Sequence, residues 1–93
     1  MTKKNTLPIK RIREILKRNH IVRAGIFGSY ARGEQNGKSD IDILIEFNGG
    51  LLGLVKLERE LKEQLGRKVD ILTYGGIHPL LKRRILREEV RIL

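Results

Sequence analysis

The segment Ser39-Asp40-Ile41-Asp42-Ile43-Leu44-Ile45-Glu46-Phe47 decides the fold of this chain. Its side chains alternate in polarity from one residue to the next, which is the pattern of a β-strand. One face of the strand carries the apolar side chains of Ile41, Ile43, Ile45 and Phe47. The other face carries Asp40, Asp42, Leu44 and Glu46. The segment therefore predicts a largely buried strand that bears two acids near its start.

The sequence on either side predicts helices and further strands around this central strand. Helical spacing of apolar residues, β-prone runs and glycine or proline punctuation define these elements. Before the central strand we expect a helix from Leu7 to about residue 18, a strand over 21–27 and a short helical turn at the start of the linker 30–39. After it we expect a helix over 51–65, a strand over 68–73 and a last helix from Pro79. The apolar residues of that last helix are Leu80, Leu81, Ile85, Leu86 and Val90. Because a helix connects the strands at 39–47 and 68–73, we expect these strands to lie parallel and adjacent.

The length of 93 residues is typical of one domain. We expect an α+β fold, in which a small mixed β-sheet of about three to four strands is flanked by helices. Residues 1–93 form a single domain in this interpretation, with a polar tail at 1–5. A second catalytic domain does not fit.

The composition excludes several classes of protein and favours a cytoplasmic domain without a membrane span. No cysteine is present, which excludes a disulfide scaffold and a cysteine-based zinc site. No apolar run approaches the roughly 20 residues of a membrane helix, and no signal sequence is recognisable. The net charge of +9 divides into +8 over residues 1–38, −2 over 39–75 and +3 over 76–93. The basic flanks are solvated helix faces, or they attract nucleic acid, a nucleoside triphosphate or an acidic protein.

Asp40 and Asp42 are the unusual feature of the central strand. Two acids at alternate positions point to the same side of a strand, about 6–7 Å apart, where their charges repel. A hard divalent cation such as Mg²⁺, held together with substrate phosphates, would relieve that repulsion. The alternative is a strand opening, in which Ser39 and Asp40 cap a turn and Asp42 is solvated.

Asp70 strengthens the metal interpretation. It lies in the strand over 68–73, and if that strand is a parallel neighbour, Asp70 comes alongside Asp40 and Asp42. Three carboxylates from adjacent strands suit a two-metal site for phosphoryl chemistry. The alternative for Asp70 is an ion pair with Lys68 or Arg67.

Gly28 and Ser29 end the preceding strand and begin a helical turn. Backbone N–H groups at such a turn, together with the Ser29 hydroxyl, can donate hydrogen bonds to a phosphate. Glycine at position 28 allows close approach because it has no Cβ. Arg32, one turn later, is in reach of a phosphate or is simply solvated. The spacing is Gly28-Ser29, ten residues, then Asp40-x-Asp42.

These residues together resemble the minimal nucleotidyltransferases, the small single-domain branch of the DNA polymerase β-like nucleotidyltransferase superfamily. The matching segments are GSYARGE at 28–34, SDIDILI at 39–45 and VDIL at 69–72. The resemblance covers essentially the whole chain and implies the nucleotidyltransferase fold.

The resemblance also implies roles for the candidate residues. Asp40 and Asp42 would ligate Mg²⁺, with two ions expected, and Asp70 would complete the metal site and help to deprotonate the acceptor hydroxyl. Gly28 and Ser29 would hold the β- and γ-phosphates of ATP, and Arg32 would assist them. The implied reaction is attack of a hydroxyl on the α-phosphate with release of pyrophosphate.

Members of this family commonly act as antitoxins beside a HEPN-domain ribonuclease toxin, where they transfer AMP to a tyrosine of the toxin. The resemblance therefore implies a protein adenylyltransferase with a HEPN-type toxin as its partner, and a homo-oligomer is compatible with it. Residues 51, 52 and 54, or 92–93, are either core or a surface for that partner.

Two alternatives to protein adenylylation remain open at the level of sequence. The first is a binding module without catalysis, which neutralises a partner or binds RNA through Lys10, Arg13 and Lys17 of the first helix. The few aromatic residues, two Phe and two Tyr, disfavour RNA binding. The second is nucleotidyl transfer to a small molecule.

Overall fold

A mixed sheet of four strands forms the centre of the structure, a computed structural model that describes residues 7–36 and 39–93. The strands are β1 (Ala24–Phe27), β2 (Ile41–Ile45), β3 (Val69–Thr73) and β4 (Val90–Arg91). Their order across the sheet is β3-β2-β1-β4. β2 and β3 run parallel, whereas β1 is antiparallel to both β2 and β4. The predicted α+β fold and the predicted parallel pair are therefore confirmed.

Four α-helices surround the sheet in the described part of the chain. They are α1 (Ile9–Arg18), α2 (Ser29–Arg32), α3 (Gly50–Leu65) and α4 (Pro79–Glu88), with a short 3-10 turn at Tyr74–Gly76. α3 ends at Gly66, which adopts the left-handed conformation that terminates many helices. At the start of α4, the Nδ1 atom of His78 accepts a hydrogen bond from the Leu80 N–H at 3.1 Å, so this histidine serves as a helix cap.

Helices α1 and α3 pack against one face of the sheet and form the main core. The apolar face of β2 (Ile41, Ile43 and Ile45) is fully buried there. Two contacts at the helix ends reinforce the packing, since Arg18 and Asn19 both bond to the Glu60 carboxylate, at 2.7 and 3.1 Å. The core members are Ile12, Ile15, Leu16, Ile21, Ala24, Ile26, Tyr30, Ile41, Ile43, Ile45, Leu57, Leu61 and Val69.

Helix α4 packs against the opposite face, where the apolar contact is smaller. The buried residues there are Leu44, Ile77 and Ile85, and Phe27, Leu72 and Tyr74 are partly buried beside them. Asp42 lies two residues before Leu44 in β2, so the two side chains share one face, on the other side of the strand from Ile41 and Ile43. Asp42, the acid of β2, therefore lies on the α4 face.

The structure corrects two details of the predicted elements. The last helix ends at Glu88, and Val90 lies in β4, where it pairs with Ile26. Backbone hydrogen bonds from Ala24 to Ile92 and Leu93 continue this pairing, so β4 forms because it pairs with the free edge of β1. The first strand begins at Ala24 and not at residue 21, because pairing with β2 starts there.

The structure also separates the apolar residues that the sequence left as core or surface. Leu51 and Leu52 are 78% and 69% exposed, whereas Leu54 and the chain end at 92–93 pack against the core. The polar tail predicted at 1–5 lies outside the described residues. Within 7–36 and 39–93, no helix is both long and apolar enough to cross a membrane.

Candidate active site

Asp42 and Asp70 occupy neighbouring positions on parallel strands. In the register of β2 and β3, Asp42 pairs with Asp70, as Ile41 does with Val69. Paired residues of adjacent parallel strands point to the same face, so both carboxylates lie on the α4 side of the sheet. Asp40 precedes β2, and its side chain lies within hydrogen-bonding reach of that of Asp70. The structure thus brings Asp40, Asp42 and Asp70 together, as the sequence predicts.

The pKa values of Asp42 and Asp70 are raised above the ordinary value of a carboxyl group. Burial, followed by repulsion from Asp70 and Asp40, raises the pKa of Asp42 to about 6, although Arg32 opposes the shift. Burial and then the charge of Asp40 also raise the pKa of Asp70. Both shifts have the direction expected for carboxylates that share one site without a cation between them.

The chemistry of these acids fits a divalent cation. In the described part of the chain, no group of three or more Asp, Glu or His side chains is placed so that it could hold a metal ion by itself. Mg²⁺ is usually held by one or two carboxylates together with substrate phosphates and water, so a complete protein cage is not required. After burial, repulsion between the acids contributes to the raised pKa values of Asp42 and Asp70, and a cation would remove that repulsion.

Gly28 lies directly against Asp42. Its φ of +76° is a conformation that L-residues with a side chain rarely adopt, and a Cβ at this position would lie 2.1 Å from the Oδ2 atom of Asp42. The turn from β1 into α2 therefore approaches the acid as closely as a backbone can. This contact places Gly28 and Ser29 next to the carboxylates, as the spacing of the motif predicts.

Arg32 is held between two carboxylates. Its Nε atom donates to the Oε1 atom of Glu34 at 2.9 Å, and its Nη1 atom donates to Oε1 of Glu88 at 3.1 Å. These interactions raise the pKa of Arg32, with the hydrogen bond to Glu34 as the largest contribution. Arg32 is therefore paired with two carboxylates at the edge of the cleft, and its contact with a phosphate stays a prediction.

A cleft of about 520 Å³ unites most of the candidate residues. One wall consists of Phe27, Gly28, Ser29, Arg32, Asp40 and Asp42, and α4 forms the other with Leu81, Arg84, Ile85 and Glu88. Asp70 is exposed beside this cleft and does not line it. Sequence reasoning missed the wall from α4. The only local signal was the four-residue spacing of Leu81 with Ile85 and of Arg84 with Glu88.

Arg67 supports the segment that leads into β2. Its guanidinium lies 5.1 Å from the centre of the Tyr30 ring, donates to the Tyr30 hydroxyl and donates to the Ser39 carbonyl at 3.2 Å. Among the ion pairs of the described residues, none joins Asp70 to Arg67 or Lys68. The alternative of a structural ion pair for Asp70 is therefore not supported.

The sheet order, the carboxylates on neighbouring strands and the Gly-Ser turn define a nucleotidyltransferase domain. The family model of that name matches residues 9–92, and the chain belongs to this family. The resemblance seen in the sequence is thus confirmed.

Relatives and solved structures extend this assignment. A protein of Methanocaldococcus jannaschii, named as a candidate protein adenylyltransferase, is 58% identical over 86 residues, which is 90% of this chain and 92% of the relative. The protein adenylyltransferase MntA of Thermococcus cleftensis is 35% identical over 82 residues, which is 86% of this chain and 83% of the relative.

A solved structure of a candidate minimal nucleotidyltransferase has a TM-score of 0.74 at 37% identity and covers 88% of this chain and 86% of its own. A toxin–antitoxin crystal structure with AMP-PNP has a TM-score of 0.82 at 24% identity, over 94% of this chain and 73% of its own. The second likeness shows the fold alone.

Proposed function

We propose that this chain is a Mg²⁺-dependent protein adenylyltransferase, which transfers AMP from ATP to a hydroxyl of a toxin protein and thereby acts as its antitoxin. The observation that carries the proposal is the contact of Gly28 with Asp42, in a cleft that also holds Asp40 and Arg32. The names of the relatives support the protein acceptor, and the likeness to toxin–antitoxin structures supports the toxin partner.

The phosphate-binding side of the cleft is the turn at Gly28. Backbone N–H groups of this turn and the Ser29 hydroxyl would donate hydrogen bonds to the β- and γ-phosphates of ATP. Arg32 would add a cation within the same cleft. These donors orient the triphosphate so that its α-phosphorus faces the carboxylates, and positioning of this kind supplies much of the catalysis in phosphoryl transfer.

The carboxylates serve the reacting oxygens. Asp40 and Asp42 would hold Mg²⁺, with Asp70 completing the site, and two ions are proposed. When bound, the metal neutralises phosphate charge and favours the ionised form of the acceptor hydroxyl. Asp70 would accept the proton of that hydroxyl, since its exposed position is open to an incoming protein and its raised pKa makes it a better base. The acceptor oxygen bonds to the α-phosphorus, and the bond to the β-phosphate oxygen breaks with release of pyrophosphate.

The acceptor is proposed to be a tyrosine of a HEPN-type ribonuclease toxin, in the cytoplasm. Residues 51 and 52 on α3 are exposed and apolar, so they are available for contact with a protein. Association of this chain with itself is compatible with the same surfaces. The exposed residues Lys10, Arg13 and Lys17 of α1 keep RNA binding as the less favoured alternative.

A labelling experiment tests the proposal. The protein is incubated with Mg²⁺, ATP labelled at the α-phosphate, and the HEPN-type protein encoded beside it. We expect label on the partner, and mass spectrometry should find AMP on a tyrosine. The double variant Asp40→Asn/Asp42→Asn should abolish labelling, whereas Glu46→Gln, an acid that follows the same strand but lies outside the cleft, should retain it.

Three other results would contradict parts of the proposal. Label that persists in the double variant would show that these acids are not catalytic. Neutralisation of the toxin by the double variant, without label, would favour a binding module. Label on a small molecule alone would identify a different acceptor.

A further inference from the structure

We propose that Glu88 of α4 is a positioning residue, which holds the Arg32 guanidinium in the orientation that receives the triphosphate. Both carboxylate oxygens of Glu88 accept hydrogen bonds from Nη1 of Arg32, at 3.1 and 3.3 Å. The inference rests on the proposed function, because it concerns binding of ATP in the same cleft. Glu88 lies outside the motifs at 28–34, 39–45 and 69–72.

The hydrogen bonds of Arg32 leave one side of its guanidinium open. Nε donates to Glu34 and Nη1 donates to Glu88. Within residues 7–36 and 39–93, no hydrogen bond involves Nη2 of Arg32, although Arg32 lines the cleft. A guanidinium has five N–H donors in a rigid fork, so fixing two of its nitrogens sets the direction of the third. Nη2 is therefore the nitrogen that remains for a phosphate oxygen.

Glu88 is more buried than Glu34, so we assign to Glu88 the role of fixing the Arg32 guanidinium. The Glu88 side chain is only 16% exposed, whereas that of Glu34 is 65% exposed. An exposed ion pair is screened by water and contributes little, so Glu34 can release Arg32 at small cost. Glu88 also accepts from Nε of Arg84 at 3.5 Å, which links a second cation of the cleft to the same carboxylate.

The position of Glu88 does not depend on its bond to Arg32. Ile85, one turn earlier in α4, is buried against Leu44 and Ile77. The next residue, Glu89, accepts a hydrogen bond from the Tyr74 hydroxyl. Because these contacts anchor the end of α4, we expect variants at position 88 to fold.

The direction in which removal of Glu88 changes the affinity for ATP tests the inference, because Glu88 could act on ATP binding in two opposite ways. A carboxylate beside a triphosphate repels it, so if repulsion were the main effect of Glu88, its removal would tighten ATP binding. If Glu88 positions Arg32, its removal weakens binding, because the arginine then loses its orientation.

Calorimetric titration with AMP-PNP in the presence of Mg²⁺ measures this difference on the full chain. We expect Glu88→Ala to raise the Kd about 10-fold and Glu88→Gln, which retains one acceptor oxygen, about threefold. The matched control Glu34→Gln removes the same charge from the same arginine and should change the Kd less than about twofold. In the background of Arg32→Ala, Glu88→Ala should have a much smaller effect, since only the longer bond to Arg84, at 3.5 Å, then remains to be lost.

Each contrary result overturns the inference. Tighter binding by Glu88→Ala, an equal effect of Glu34→Gln, or a full additional loss in the double variant would show that Glu88 does not act through Arg32. If Glu88→Ala fails to fold, Glu88→Gln decides by the same comparison. Absence of AMP-PNP binding by the unmodified protein would overturn the proposed function as well, whereas normal binding with an unchanged Kd in Glu88→Ala would overturn only the role of Glu88.

Discussion

The two faces of the sheet differ in what they bury. The α1/α3 face encloses thirteen fully or nearly fully buried residues, all apolar except for the hydroxyl of Tyr30. Among residues 7–36 and 39–93, the α4 face buries only Leu44, Ile77 and Ile85, and the rest of it is a cleft with Asp40, Asp42 and Arg32. Strand β2 contributes to both, because its alternate residues point to opposite sides.

This difference separates stability from chemistry within one strand. The isoleucines of β2 pack into the core on the α1/α3 face, which we call the closed face. Asp42 projects from the same backbone into the α4 face, which we call the open face. Burial of apolar area stabilises the fold, whereas gathering carboxylates without a cation opposes folding. A small domain can carry a strained acidic site because the opposite face supplies the stability.

The largest expected effect concerns activity at the open face. Asp42→Asn should lower adenylyl transfer by about 10³-fold or more, since it removes a proposed metal ligand. Transfer of labelled AMP measures the effect, and circular dichroism should show an unchanged fold. Activity within tenfold of the unmodified protein would mean that the open face is not the catalytic one.

Truncation of the core should cost more on the closed face. Ile43→Ala removes a fully buried side chain from the main core and should lower the free energy of unfolding by about 3–5 kcal/mol. Leu44→Ala, equally buried but in the smaller cluster under α4, should cost about 2–3 kcal/mol. Urea denaturation of both variants tests the contrast, and a larger loss for Leu44→Ala would reverse it.

Gly28→Ala tests how closely the turn at Gly28 approaches the carboxylate of Asp42. The new Cβ would lie 2.1 Å from Oδ2 of Asp42, and an alanine at φ +76° is also strained. We therefore expect the free energy of unfolding to fall by about 2–3 kcal/mol and ATP binding to be lost. Gly33→Ala is a matched control, because its φ is +73° but no atom lies within 4 Å of the new Cβ. It should cost only about 1 kcal/mol and leave ATP binding intact. Equal losses in the two variants would show that strain alone, and not contact with Asp42, governs position 28.

The raised pKa of Asp42 predicts how stability depends on pH. The folded protein retains the Asp42 proton up to a pH of about 6, whereas the unfolded chain releases it near 3.8. The folded state therefore binds more protons in this window, and its stability falls as the pH rises from about 4 to about 6. Asp42→Asn removes this penalty and should raise the free energy of unfolding by about 1 kcal/mol at pH 7.5, with no gain at pH 3.5. Thermal melts at the two pH values without Mg²⁺ measure the difference, and an equal gain at both would exclude titration as its cause.

The smallest effect is expected on the exposed surface of α3. Leu52→Ser replaces a side chain that is 69% exposed, so the free energy of unfolding should change by less than about 0.5 kcal/mol. The same variant should weaken modification of a protein acceptor if that surface contacts it. A stability loss above about 1 kcal/mol would place Leu52 in the core instead.

The sequence predicted most of the fold because its local signals agree. Alternation in 39–47, helical spacing in 51–65 and the connection between parallel strands identified β2, α3 and β3 without knowledge of long-range contacts. The boundaries of β1 and the existence of β4 were missed. Both depend on which backbone groups find partners, and Val90 becomes a strand residue only because β1 has a free edge beside it.

The candidate site also has a part that the sequence predicts and a part that only the tertiary structure shows. The sequence alone predicted which residues carry the proposed chemistry, since acids at 40, 42 and 70 are unusual in or beside buried strands and Gly28 precedes a helical turn at a characteristic spacing. The tertiary structure decided how they meet: the register that pairs Asp42 with Asp70, the contact of Gly28 with Asp42, and the wall of α4 that places Glu88 against Arg32. Side-chain type and periodicity are local properties that a sequence displays, whereas Glu88 lies 56 residues from Arg32 and comes beside it only when α4 packs on the sheet.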